Sequence, residues 1–183
     1  MSLLTVKDGA ADDVYLLQAG AGDITEGFTP QHGYPGAVLA VTLTLDTSIY
    51  ASGDVLSATA AISNATRVID GRATLESLVL VDQDDQKQGI DIYFLDANSS
   101  MGTFNVAPAI SDANALTILG FVSVVAGDYK DLGGVSVVNL RNLNVNLSPA
   151  TGTRTVYIAT VLTSGTPTYT AAGIKLRLHV RWH

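Results

Sequence analysis

Ile174-Lys175-Leu176-Arg177-Leu178-His179-Val180-Arg181-Trp182 decides how this chain is read. Apolar residues at every second position alternate with Lys175, Arg177, His179 and Arg181. A period of two is that of a β-strand with one face buried and the other in water. Working outward, the pattern recurs. Val41, Leu43 and Leu45 alternate with Thr42, Thr44 and Asp46; Leu56, Ala58, Ala60 and Ile62 run from Ser52-Gly53-Asp54 to Ser63-Asn64. Residues 72–81 form a strand whose apolar phase slips once, as at a bulge. Residues 89–95 place Ile90, Ile92 and Phe94 on one side, and residues 118–125 are so apolar that burial on both faces is expected. Residues 135–147 end with Leu143, Val145 and Leu147 alternating with Asn142, Asn144 and Asn146, and residues 155–162 complete the set. Only residues 111–116 read as helical, one or two turns capped by Ser111. About eight antiparallel strands with one short helix predict an all-β chain, a jelly-roll-like β-sandwich.

Composition agrees. The chain has 183 residues, 47% hydrophobic and 15% charged, too apolar for a disordered protein and long enough for one core. It has no cysteine, which excludes a disulfide framework, a zinc–thiolate site and a thiol nucleophile. Of 17 acidic residues only Glu26 and Glu76 are glutamates, a bias toward turns rather than helices. The net charge of −7 has the wrong sign for a nucleic-acid partner. The N-terminal residues lack a basic region followed by an apolar stretch, so no secretory signal is expected. No apolar run approaches the ~20 residues of a bilayer span, so no membrane partner is expected either.

Charge and composition also divide the chain. Residues 1–36 hold Asp8, Asp12, Asp13, Asp23 and Glu26 against the single Lys7, with six glycines and two prolines. Such a segment does not supply a periodic buried face and is expected to be an extended N-terminal arm, with the sandwich domain over 37–183. Its apolar residues Val14, Tyr15, Leu16, Leu17, Phe28 and Tyr34 are the arm's candidate anchors, on a partner surface or on its own domain. Residues 1–100 carry a net −10 and residues 101–183 a net +3. Within the basic half, Lys175, Arg177 and Arg181 are candidate contacts to an acidic partner. The alternative is a solvated outer face that also discourages edge-to-edge aggregation.

Signals for chemistry are thin. Asp82-Gln83-Asp84-Asp85-Gln86-Lys87-Gln88-Gly89-Ile90-Asp91 is the densest acidic run, but it lacks the glycine and glutamate of a calcium loop and reads as a hairpin turn. His179 and His183 lie about 13 Å apart along an extended strand, too far to share an ion, and His32 is remote in sequence. There is no Gly-x-Ser-x-Gly elbow and no phosphate-binding glycine loop. No catalytic residue, metal or cofactor is expected, and the chain is not expected to be an enzyme.

Several short stretches carry a resemblance: Gly27-Phe28-Thr29-Pro30-Gln31-His32, Asp54-Val55-Leu56, Asp70-Gly71-Arg72-Ala73-Thr74-Leu75-Glu76-Ser77-Leu78-Val79-Leu80-Val81-Asp82, Ile92-Tyr93-Phe94, Asn105-Val106-Ala107-Pro108, Ser111-Asp112 and Gly165-Thr166-Pro167-Thr168-Tyr169-Thr170. In these the chain resembles tailed-bacteriophage virion proteins, small β-sandwich proteins encoded among phage head genes, and more loosely the head decoration (cement) proteins. The resemblance implies a homotrimer on the outside of an assembled capsid, made in the host cytoplasm and clamping neighbouring subunits of the major capsid protein. It carries over no catalytic residues. Two alternatives share the fold: a tail or baseplate adaptor, and a receptor- or glycan-binding module whose aromatic platform would come from Trp182 and the seven tyrosines.

Overall fold

The computed structural model describes residues 4–7, 13–16 and 36–183. In chain order the strands are β1 (Leu4–Lys7), β2 (Asp13–Leu16), β3 (Gly36–Thr42), β4 (Val55–Ile62), β5 (Ala73–Asp82), β6 (Ile90–Leu95), β7 (Ile118–Val124), β8 (Lys130–Asp131), β9 (Ser136–Leu147), β10 (Val156–Leu162) and β11 (Ile174–Trp182). The helix α1 (Asp112–Ala115) precedes β7, with the Ser111 hydroxyl accepting from the Asn114 N–H at 3.2 Å, the cap expected from the sequence.

The pairing is nested. β3 pairs with β11, β4 with β10, β5 with β9 and β6 with β7, all antiparallel, so residues 36–182 form one long two-stranded ribbon closed at the β6–β7 end. The ribbon curls on itself, because β11 also pairs with β5 and β10 with β6. The products are two sheets, β3-β11-β5-β9-β8 and β4-β10-β6-β7, the strand order of a jelly roll. Curling is what lets each strand's alternating apolar residues meet a second apolar face. Leu75, Leu78, Leu80, Val138 and Leu178 from one sheet join Leu56, Ile90, Ile92, Phe94 and Ile158 from the other in one cluster, none more than 1% exposed. Each such side chain contributes about 1.5–3 kcal/mol. At one end Tyr50 and Tyr169 meet edge to face at 6.2 Å, and the Tyr50 hydroxyl donates to the Leu56 carbonyl at 2.9 Å.

The phase slip in residues 72–81 is a bulge at Glu76. Against β11, Leu75 and Ser77 face Val180 and His179, leaving Glu76 over. Against β9 they face Val145 and Arg141, so Glu76 lies opposite Asn142, Leu143 and Asn144. One expectation is corrected. The apolar strand β7 is not buried on both faces: it is the outer strand of its sheet, and Phe121 and the adjoining Val125 are each 58% exposed.

The chain divides into two compact units, 1–32 and 33–183. In the first, β1 and β2 pair antiparallel with Leu4 opposite Leu16 and Lys7 opposite Asp13. The composition of residues 1–36 does not signal this pairing. Among the described residues no helix is long and apolar enough to cross a membrane.

Candidate functional site

The outer faces of the two sheets differ in what covers them. Over the four-stranded sheet lies the β6–β7 connection, residues 96–117. Its Met101 joins Val55, Leu95 and Ala159 in a second buried cluster, with Tyr93, Ile110, Ile118, Tyr157 and Val161 packed around it. Backbone bonds fasten the connection to the edge of β4: the Val55 N–H donates to the Val106 carbonyl at 2.9 Å, and the Asn105 N–H to the Val55 carbonyl at 2.8 Å.

Among the described residues, the outer face of the five-stranded sheet is built from the strands' own side chains. Lys175, Arg177, His179 and Arg181 point outward from β11, as the alternation requires, while Ile174, Leu176, Leu178 and Val180 are buried. β11 lies between β3 and β5, so the basic stripe runs along the middle of a sheet and does not guard an edge. Strand register extends it sideways. Lys175 is level with Val81 and Val137, Arg177 with Val79 and Asn139, and His179 with Ser77 and Arg141. Arg141 is thereby a fourth strong base on the face, and no alternation in its own stretch of sequence marks it out. Arg181 is 3.3 Å from the Glu76 carboxylate. Among the described residues no carboxylate lies within ion-pair distance of Lys175, Arg177 or Arg141.

The bulge gives this face its relief. Asn142 and Asn144 have φ of 58° and 56°, a left-handed conformation that asparagine tolerates because its short amide bonds locally. A bulge bends its strand and re-aims neighbouring side chains. Glu76, Ser77, Val79, Asn139, Arg141, Asn142, Asn144 and His179 surround an open concavity of about 540 Å³.

The acidic run 82–91 is a turn held by its own carboxylates. Asp82 is fully buried; its two oxygens accept from the Asp84 N–H at 3.1 Å and the Lys87 N–H at 2.8 Å. Burial pushes its pKa up, against the downward pull of those bonds. Asp84 accepts from the Thr170 N–H at 2.8 Å, and Lys87 bridges Asp131 at 2.6 Å and Asp85 at 3.2 Å. Gly173 faces the Asp84 carboxylate so closely that a Cβ there would collide with it. Among the described residues no group of three His, Asp or Glu side chains is arranged to hold a metal ion.

The other candidates fall as follows. Val14, Tyr15 and Leu16 are in β2, while Leu17, Phe28 and Tyr34 lie outside the described residues. Tyr50, Tyr129 and Tyr169 are core residues, and the half-buried Trp182 donates its indole N–H to the Ala65 carbonyl at 3.1 Å. Tyr93 stacks on Phe121 with ring centres 5.5 Å apart at the β6–β7 edge.

Neither a protein-family model nor a curated protein matches the chain. A chain in the solved structure of Desmodium yellow mottle tymovirus is 13% identical, with 94% of this chain and 95% of that chain covered at a TM-score of 0.29, a likeness too low to bear on what this chain does.

Proposed function

We propose that the chain is a structural protein of a phage virion, a decoration protein that binds the outside of the assembled head and stabilises contacts between major capsid protein subunits. The observation that carries this is the outer face of the five-stranded sheet, where Lys175, Arg177 and Arg141 stand without ion-pair partners among the described residues, on a chain of net charge −7. A basic patch on an acidic body orients the molecule toward an acidic surface. The jelly roll supplies stiffness, since every strand of the ribbon is paired and its core is closed between two sheets. Residues 1–36 supply the second contact, through Val14, Tyr15, Leu16, Leu17, Phe28 and Tyr34. Two modest contacts on one molecule, repeated in a trimer on a symmetric lattice, gain by avidity. The work is binding, with no catalytic step.

Limited proteolysis tests the proposal. Residues 1–36 should be cleaved in free protein and protected on heads; equal cleavage in both settings overturns it. Imaging of labelled particles should place the protein on the head exterior, and label at the tail would replace this reading with the adaptor.

A further inference from the structure

We infer that the concave face of β11, β5 and β9 is a docking site for an extended acidic polypeptide segment of a partner chain, with Arg177, Arg141 and Lys175 as its cation contacts. This deepens the proposed function and rests on it only for which chain carries the acids. Three observations lead to it.

The cations are laid out in rows rather than converging on a point. Lys175 and Arg177 are two residues apart on one strand, about 6.6 Å, and Arg141 lies two strands from His179, about 10 Å. An extended segment with acids at alternate positions repeats at the same ~6.6 Å and can meet them in turn. The groups beside the cations have the chemistry of a peptide's own groups. Val79 and Val81 offer apolar area level with Arg177 and Lys175, and on the Arg141 side the concavity presents the amides of Asn139, Asn142 and Asn144, which both donate and accept. Finally, Glu76 holds Arg181 at 3.3 Å, which separates an internally paired base from three that have no ion-pair partner among the described residues.

Charge complementarity therefore selects an acidic occupant. Single-stranded nucleic acid fits less well, since no aromatic side chain interleaves with these bases for stacking and the whole chain is acidic. A sulfated oligosaccharide is the other polyanion, and the apolar Val79 in the lining disfavours it.

The test uses the full chain and a fluorescein-labelled octapeptide of alternating Asp and Val, followed by anisotropy. Competitors are its Asn counterpart, an octathymidylate and a heparin hexasaccharide. The expected result is saturable binding of the acidic peptide, weakened several-fold between low and physiological salt, with amide shifts at Val79, Asn139, Arg141 and Arg177. R141E/R177E should lower the affinity tenfold or more with an unchanged melting temperature. R67E/R154E, an equal charge change at exposed residues away from this face, should leave it within twofold. No binding, equal binding by R141E/R177E, or tighter binding of the oligonucleotide or the heparin fragment overturns the inference. Attachment of the same variants to heads is scored separately. Peptide binding lost with head binding intact leaves the decoration role standing without this face. Peptide binding retained with no head binding by wild type keeps the face and removes the decoration role.

Discussion

The two sheets of this molecule have the same construction and opposite outer faces. The four-stranded sheet is roofed by its own β6–β7 connection, which adds Met101 and Ile110 to an apolar cluster. The five-stranded sheet has no such roof among the described residues: its outward positions include Lys175, Arg177, His179 and Arg141 beside asparagines, with Val79 and Val81 at the centre. A sheet face can be made compatible with water either by covering its apolar residues or by keeping them few among charges. The chain does both, once each. The covered face adds a second apolar cluster to the fold; the other leaves its charged side chains exposed.

Mutations measure that division. The largest effect is expected at Leu95, fully buried beneath the roof: Leu95→Ala should cost about 3 kcal/mol in urea denaturation and speed amide exchange in residues 96–117. A loss below 1 kcal/mol would mean that the connection is not a structural cover. Asp82→Ala comes next, at about 2 kcal/mol, because the Asp84 and Lys87 N–H groups lose their acceptor. At the bulge, Asn144→Ala should cost about 1 kcal/mol and Asn144→Gly close to nothing, since glycine adopts φ near 56° freely. Equal costs would place the role of Asn144 in its side chain rather than in the backbone. Arg177→Ala, on the uncovered face, should change stability by less than about 0.5 kcal/mol. A loss as large as that of Leu95→Ala would erase the contrast between the faces.

Acid should separate the carboxylates in the same way. The Asn105 amide holds the Asp46 pKa down, and the Lys87 ammonium does the same for Asp131. Both contribute stability above the ordinary carboxylate value of 3.8, lost as pH falls through their lowered folded values. Asp82 runs the other way. Its folded pKa is raised by burial, so its buried charge weighs on the fold at neutral pH and is relieved as pH falls through that raised value. The stability of wild type relative to Asp82→Asn should therefore rise from pH 7 toward pH 4 and level off below 3.8. A difference that falls over that range would show that the bonds to Asp84 and Lys87 outweigh burial.

How legible all this was depends on how local its cause is. The alternation in β11 exposes the side-chain direction of nine residues, because a strand's period is a property of its own backbone. The slip at Glu76 and the cap at Ser111 are equally local. Three features were not legible. β7 reads as doubly buried, yet it is an outer strand, since apolarity does not say which neighbours a strand has. The pairing of β1 with β2 is hidden by glycine and aspartate around it. Arg141 joins the basic face only because β9 runs beside β5, which no spacing within residues 135–147 reveals.

From residues alone came the β class, the approximate strands, the turn at 82–91 and a basic stripe on β11, each written in contacts between sequence neighbours. The curled ribbon decided the rest: that the stripe runs mid-sheet, that Arg141 enlarges it, that a bulge hollows the face beside it, and that the β6–β7 connection covers the opposite sheet. Those depend on register between strands up to 145 residues apart, Gly36 opposite Arg181, and that register is set by burial of all the apolar faces together.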